Sequence, residues 1–309
     1  MAEENLNDQM SYSSEERRYF IPIVPVHVKP DVLRNIMPYT NWIGFNLFDL
    51  RGSKFYDVAK RKGIRDTFEI NDEKRIFLTS TGKDERLVPF YNDQDGVEQF
   101  RADVKDFDAD MAMGPDWFVY EDQLPEDRRK NIAKAIELNQ KCIDLENVVP
   151  NIHGTNFQEI RSFIEPFKEQ GKRLFVIAGR GRLINFGSRK KSQNRFSSLT
   201  STIVTCEKIR LIVTGCNSPK LQENLPAVSA FAGLGWLIQA RNRRLIMGKT
   251  YKRIFDPGFF CDDFSCCASL SKEELARPEK ESARAIHNLK RIVQSLTARP
   301  EFWQYSLVS

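Results

Sequence analysis

The chain has 309 residues, 41% of them apolar and 29% charged, with a formal net charge of +5. That length can bury a sizeable core, enough for one large α/β domain or one domain with an appendage. Its longest nearly apolar run, Val228–Ile238, falls well short of the roughly 20 residues that cross a bilayer, so a spanning helix is excluded and no membrane partner is expected.

In chain order, Met1–Glu16 is polar and acidic with no apolar signal core, which reads as a floppy cytoplasmic tail over 1–18. Apolar, β-rich stretches follow at Phe20–Val28, Trp42–Phe48 and Arg75–Leu78, with helical pieces around Pro30–Met37 and Phe55–Lys62. From Asp110 the rhythm is regular. Asp110–Met113 reads as a strand, Glu126–Ile143 as a helix, Val148–His153 as a strand and Phe157–Glu169 as a helix. Arg173–Ala178 is a strand, followed by a basic loop and a helix around Ser197–Glu207. Arg210–Thr214 is a strand, Pro219–Ala230 a helix and Leu234–Gln239 a further strand. Lys272–Leu296 reads as one long helix with apolar residues at three- and four-residue steps.

Strands alternating with helices predict βα units and a parallel sheet covered on both faces. Several strand ends carry polar or glycine residues: Asp116, His153-Gly154-Thr155, Gly179-Arg180-Gly181 and Gly215-Cys216-Asn217. In a (β/α)8 barrel that rim binds ligands. The expected architecture is therefore α/β, a TIM-type (β/α)8 barrel over 19–255 with a zinc-binding knuckle and C-terminal helix over 256–309. A doubly wound open sheet is the alternative, but the glycine-rich turn expected after its first strand is missing.

Cys261, Cys266 and Cys267 precede His287, with nineteen residues between the last cysteine and the histidine. A cysteine knuckle plus a helix-borne histidine supplies four N/S ligands for a structural zinc ion. Asp263 is the alternative fourth ligand, and the plain alternative is that the cysteines are small buried hydrophobes and His287 a helix-surface residue. The three remaining cysteines, Cys142, Cys206 and Cys216, are scattered, which fits a reducing compartment.

Two segments are basic and free of acids. Arg180, Arg182, Arg189, Lys190, Lys191 and Arg195 form the first; Arg241, Arg243, Arg244, Lys249, Lys252 and Arg253 form the second. Such segments suggest a polyanion footprint, with Arg189, Lys190, Lys191 and the second set as phosphate contacts. Trp236 and Phe186 are candidates for base stacking, although core packing suits Trp236 better.

The order of these motifs resembles the tRNA-guanine transglycosylase superfamily over about Asp106–Thr297. "DADMAMGPD" (Asp108–Asp116) looks like the family strand that ends in a purine-recognising aspartate. "VVPNIHGT" (Val148–Thr155) is similar to its "F-G-I-V-Q-G-G", "LFVIAGRG" (Leu174–Gly181) to "G-Y-A-I-G-G-L", and "LIVTGCNSP" (Leu211–Pro219) to "Y-L-M-G-V-G-T-P". "CDDFSC" (Cys261–Cys266) resembles the family's "C-D-C-Y-T-C", and His287-Asn288-Leu289 its distal histidine motif.

The resemblance implies a zinc-containing (β/α)8 barrel that exchanges guanine for a 7-deazaguanine base. It places Asp116 on the base-recognising aspartate, His153 where the family has a glutamine, and Gly154, Gly179, Arg180 and Gly181 along the base pocket. Two departures stand out. Asn41 in "NWIGFNLF" is at most a distant echo of the family's other catalytic aspartate, and Phe231-Ala232 carries alanine where the family has its nucleophilic aspartate. DNA is favoured over tRNA by the compact length, and a homodimer is possible. The alternatives are a tRNA enzyme or its noncatalytic partner, and a zinc-stabilised nucleic-acid-binding module without catalysis.

Overall fold

Short apolar runs, each backed by an amphipathic helix, assemble into parallel sheets because neither face of such a strand tolerates water. The computed structural model describes residues 18–93, 95–178, 189–215, 219–256, 259 and 270–297. Strand β1 (Tyr19–Pro22) leads through helix α1 (Pro30–Ile36) to β2 (Trp42–Asn46), α2 (Leu47–Arg51), α3 (Tyr56–Phe68) and β3 (Arg75–Thr79). Next come α4 (Asp84–Asn92), α5 (Gly96–Asp106), β4 (Met111–Met113), α6 (Pro125–Gln140), β5 (Val148–Val149) and β6 (Asn151–Ile152). The chain continues with α7 (Phe157–Glu169), β7 (Leu174–Ala178), α8 (Arg189–Glu207), β8 (Arg210–Thr214), α9 (Pro219–Glu223) and β9 (Ala230–Gly233). It closes with α10 (Gly235–Arg241), β10 (Arg244–Met247), β11 (Thr250–Arg253), α11 (Lys272–Ala276) and α12 (Glu281–Thr297).

The sheet orders are β2-β3-β4-β5 and β1-β9-β8-β7-β6, all pairings parallel, plus an antiparallel β10-β11 hairpin. Pro150 separates β5 from β6, and its carbonyl accepts from Val176 N at 2.9 Å. One extended segment thus borders both large sheets. At their other edges Ile23 and Gly44 form a parallel bridge, with Val24 N donating to Gly44 O at 2.8 Å. A Cβ on Gly44 would lie 2.4 Å from Ile23 Cδ1, so a larger residue there would have to displace the end of that side chain.

Two apolar clusters follow from the period-two alternation of side chains. The larger packs the strands against the helices, and α12 joins it through Ala285, Leu289, Ile292 and Leu296. The smaller takes Ile21 (β1), Trp42 (β2), Phe77 (β3), Met111 (β4), Val149 (β5), Val176 (β7), Ile212 (β8) and Ala230 (β9).

Several sequence expectations match closely, because their signals are local. Helix α7 spans Phe157–Glu169; Asn156 caps it by accepting from Glu159 N at 3.0 Å, and it buries Ile160, Phe163, Ile164 and Phe167. Strand β8 also has the expected bounds. Other expectations are corrected. Leu234–Gln239 is not a strand: the strand is β9, one step earlier, and Gly235–Arg241 is helical, burying Trp236, Leu237 and Ala240. A continuous apolar run carries no period that separates these options. The single helix expected over Lys272–Leu296 breaks at Arg277, whose extended backbone (φ −65°, ψ 143°) is what a following proline requires. Strand β2 stops at Asn46, which caps α2 by accepting from Asp49 N at 3.1 Å. Among the described residues no helix is long and apolar enough to cross a membrane.

Candidate functional site

Parallel strands deliver their C-terminal ends to one side of a sheet, and there the loop after β4 meets β6. Gly114 donates its N–H to Val149 O at 2.8 Å, and its carbonyl accepts from Ser80 Oγ at 2.5 Å. Buried Asn139, on α6, holds the next step. Its Nδ2 donates to Pro115 O and to Ala135 O, both at 2.9 Å, while its Oδ1 accepts from Asn151 N at 2.9 Å. This packing leaves no room for a side chain at position 114, where a Cβ would lie 2.2 Å from Asn139 Oδ1. One amide side chain thereby ties the loop carrying Asp116 to the strand carrying Asn151.

Asp116, Asn151 and His153 come together as a result. Their relative exposures are 1%, 0% and 4%, which makes this a desolvated polar cluster rather than a surface one. Asn151 Nδ2 donates to Asp116 Oδ1 at 3.1 Å and lies 3.2 Å from His153 Nε2. The amide nitrogen has two hydrogens to give and accepts none, so His153 Nε2 is the acceptor. Neutral His153 then carries its proton on Nδ1. Its Nε2 is 3.9 Å from Asp116 Oδ1, and its ring meets Phe163 edge-on at 5.6 Å between centroids. Asn151 Oδ1 is buried without a hydrogen-bond partner among the described residues. Burial pushes the Tyr91 phenol well above its ordinary range, and the nearby Asp116 charge adds to the effect.

The loop after β6 is held from outside the cluster. Glu159 Oε2 accepts from Thr155 N at 2.8 Å and Thr155 Oγ1 at 2.9 Å, and Oε1 accepts from Arg128 Nε at 3.1 Å. Burial alone would raise the Glu159 carboxyl, but the hydrogen bonds from Thr155 and Arg128 outweigh it and hold the group below its usual range. Gly154 takes the positive φ of 145° between His153 and this anchor. By contrast, buried Asp103 is a structural charge, paired with Arg51 Nε at 2.6 Å and Tyr56 OH at 2.8 Å between α2, α3 and α5.

Other expected residues fall elsewhere. Ala232 lies within β9 in the smaller apolar cluster, fully buried, its carbonyl accepting from Gly215 N at 2.7 Å. Asn41 precedes β2 and is exposed at the N-terminal strand ends, the side opposite Asp116, so it cannot serve as a second catalytic residue there. Gly179, Arg180, Gly181, Phe186, Cys261, Cys266 and Cys267 lie outside the described residues, as do the side chains of Arg189, Lys190 and Lys191 in the first turn of α8. Trp236 is fully buried, a core residue.

The second basic segment is free of acids in sequence but not in space. Arg241 pairs with Glu281 at 2.9 Å and Lys249 with Glu223 at 2.9 Å, while Arg244 reaches Gln239 Oε1 at 3.4 Å. Arg243, Lys252 and Arg253 are exposed without an ion pair among the described residues, and Phe255 beside them is 60% exposed. His287 is fully buried, not a helix-surface residue, and lies 2.9 Å through Nε2 from Ile246 O. A carbonyl only accepts, so Nε2 carries the proton and the lone pair of the neutral ring is on Nδ1. Among the described residues no group of three or more His, Cys, Asp or Glu side chains is placed to hold a metal ion.

Sequence reasoning missed Asn151, Asn139 and Tyr91. A signal for Asn151 existed: a polar residue two positions before His153 shares its face of an extended strand. No protein-family model matches this chain, and neither does any curated protein.

Proposed function

We propose that the chain is a transglycosylase-type (β/α)8 barrel that exchanges guanine for a 7-deazaguanine base in DNA. The observation that carries this reading is the buried Asp116–Asn151–His153 cluster at the C-terminal strand ends. An extruded base is recognised by hydrogen bonds to its Watson–Crick edge inside such a desolvated pocket, with the buried carboxylate accepting from ring and exocyclic N–H groups. Closure of the sheets into one barrel is supported by the Ile23–Gly44 bridge and by the β5–β6 segment that borders both sheets. The small cluster, to which every parallel strand but β6 contributes, then becomes the barrel interior.

Exchange breaks an N-glycosidic bond, and a carboxylate takes the anomeric carbon as a covalent enzyme–sugar intermediate. Ala232 offers only a methyl group, and it favours the second reading, a noncatalytic protein that binds the same base and polymer. The two separate in one experiment on guanine-labelled DNA and tRNA. An enzyme is expected to release guanine from DNA and leave a denaturant-resistant adduct; saturated binding with neither release nor adduct would establish the noncatalytic protein. An Ala232→Asp variant is a poor control, since it buries a carboxylate among Ile21, Trp42 and other apolar side chains.

A structural zinc on Cys261, Cys266, Cys267 and His287 belongs to the same reading. It is supported by the His287 ring, whose Nε2–H goes to a backbone carbonyl, as in histidines that bind metal through the other nitrogen. The ion would pin α12 beside the second basic segment, whose Arg243, Lys252 and Arg253 would grip phosphates. Purified protein is expected to hold about one zinc per chain, the ligand set being complete, and His287→Ala protein to hold substantially less. Metal analysis of both finding no zinc would remove this part of the proposal.

A further inference from the structure

We propose that Asn151 is a specificity-determining residue: its buried Oδ1 accepts a hydrogen bond from the exocyclic amine of the ligand base, beside the carboxylate of Asp116. The inference rests on the base-binding reading above and adds to it a residue and a donor pattern.

The orientation of the amide follows from its neighbours. With Nδ2 at 3.1 Å from Asp116 Oδ1 and 3.2 Å from His153 Nε2, both of its hydrogens meet acceptors. Turning the amide over would set its oxygen 3.1 Å from a carboxylate oxygen, acceptor against acceptor, so the Asp116 contact fixes the orientation. The backbone is held as well, through Asn151 N to Asn139 Oδ1 at 2.9 Å. Oδ1 is therefore fixed in place, buried, and without a partner among the described residues. Native proteins rarely leave a buried carbonyl unsatisfied, and an N–H donor of a bound ligand would supply the missing partner here.

The chemistry of the partner follows from the pair. Asp116 and Asn151 Oδ1 are both acceptors, so the complementary ligand edge presents two donors side by side. Guanine and the 7-deazaguanines do so with a ring N–H and an exocyclic amine. Hypoxanthine keeps only the ring N–H, 1-methylguanine only the amine, and adenine sets a donor next to an acceptor. The family motif "F-G-I-V-Q-G-G" has an apolar residue where Asn151 stands, so this acceptor belongs to the present chain.

Calorimetric titration of the full chain with guanine, hypoxanthine and 1-methylguanine tests the assignment. Wild-type protein is expected to prefer guanine over either analogue by about 10- to 100-fold, the cost of leaving one buried acceptor unpaired. Asn151→Leu protein, checked for folding by circular dichroism, should bind guanine and hypoxanthine within about threefold of each other. A preference that persists in the folded variant overturns the assignment. Wild-type protein that binds guanine and hypoxanthine equally well also overturns it, leaving the base-binding reading intact, and needs no variant to fold. Wild-type protein that binds none of the three overturns the base-binding reading and this assignment together.

Discussion

Asp116→Asn protein is expected to bind guanine at least about 100-fold more weakly than wild type, a loss of roughly 2.7 kcal/mol, with its fold intact. Asparagine keeps the shape of the side chain but exchanges one acceptor oxygen for a donor. That donor must face either Asn151 Nδ2, now 3.1 Å from Asp116 Oδ1, or the ligand's own N–H groups. Either arrangement sets donor against donor in a site with almost no access to water. Stability should change little, because the substitution removes a buried charge and leaves the Asn139 clamp on Pro115 and Asn151 untouched. Titration with guanine and a thermal melt make the comparison, and an unchanged affinity would exclude Asp116 from base recognition.

Arg284→Ala should produce the largest loss of stability, about 3–5 kcal/mol by urea denaturation. The Arg284 guanidinium is almost fully buried. Nε donates to Ala240 O at 2.7 Å, and Nη1 to Arg277 O at 2.8 Å and to Leu275 O. Those carbonyls lie at the ends of α10 and α11, where helix geometry leaves acceptors short of donors. Backbone N–H groups of Arg243 and Lys280 also reach Ala240 O and Arg277 O, both at 3.1 Å, and the guanidinium ties the two helix ends together. Burial lowers the Arg284 pKa, partly opposed by Glu281, but arginine remains cationic and its planar fork reaches several acceptors at once. Lysine has one donor head and should rescue little. A loss below about 1 kcal/mol would mean that water replaces the guanidinium at all three carbonyls.

Beside Arg284, Asn288 Oδ1 accepts from Ile246 N at 2.8 Å and its Nδ2 donates to Trp236 O and Arg244 O at 3.1 Å. Together with His287 they make one turn of α12 the junction between α10 and the hairpin. Sequence reasoning singles out His287 as a zinc ligand and the rest of this stretch as an amphipathic helix, and gives Arg284 and Asn288 no role at this junction. Its polar residues point inward, where periodicity assigns them to solvent.

Legibility elsewhere follows the range of the signal. Helix α7 and strand β8 were readable because cap, period and length lie within the element itself. Helix α4 was not: it is short and carries Pro89 inside, and only packing of Leu87 and Tyr91 into the core favours it. The shift from the expected late strand to β9 and α10 has the same origin, an apolar run whose role is set by its pairing with β1 and β8.

The alternation of strands and helices, the parallel character of the sheets and the position of Asp116 and His153 at strand ends were all legible in the residue pattern. These depend on side-chain period and chain direction, which are local properties. Folding in three dimensions was needed to bring Asn151 to Asp116 across 35 positions and Arg241 to Glu281 across 40. Such contacts depend on strand register and on the loops that return each helix to the sheet. No window of neighbouring residues encodes the few ångströms that separate a hydrogen bond from a gap.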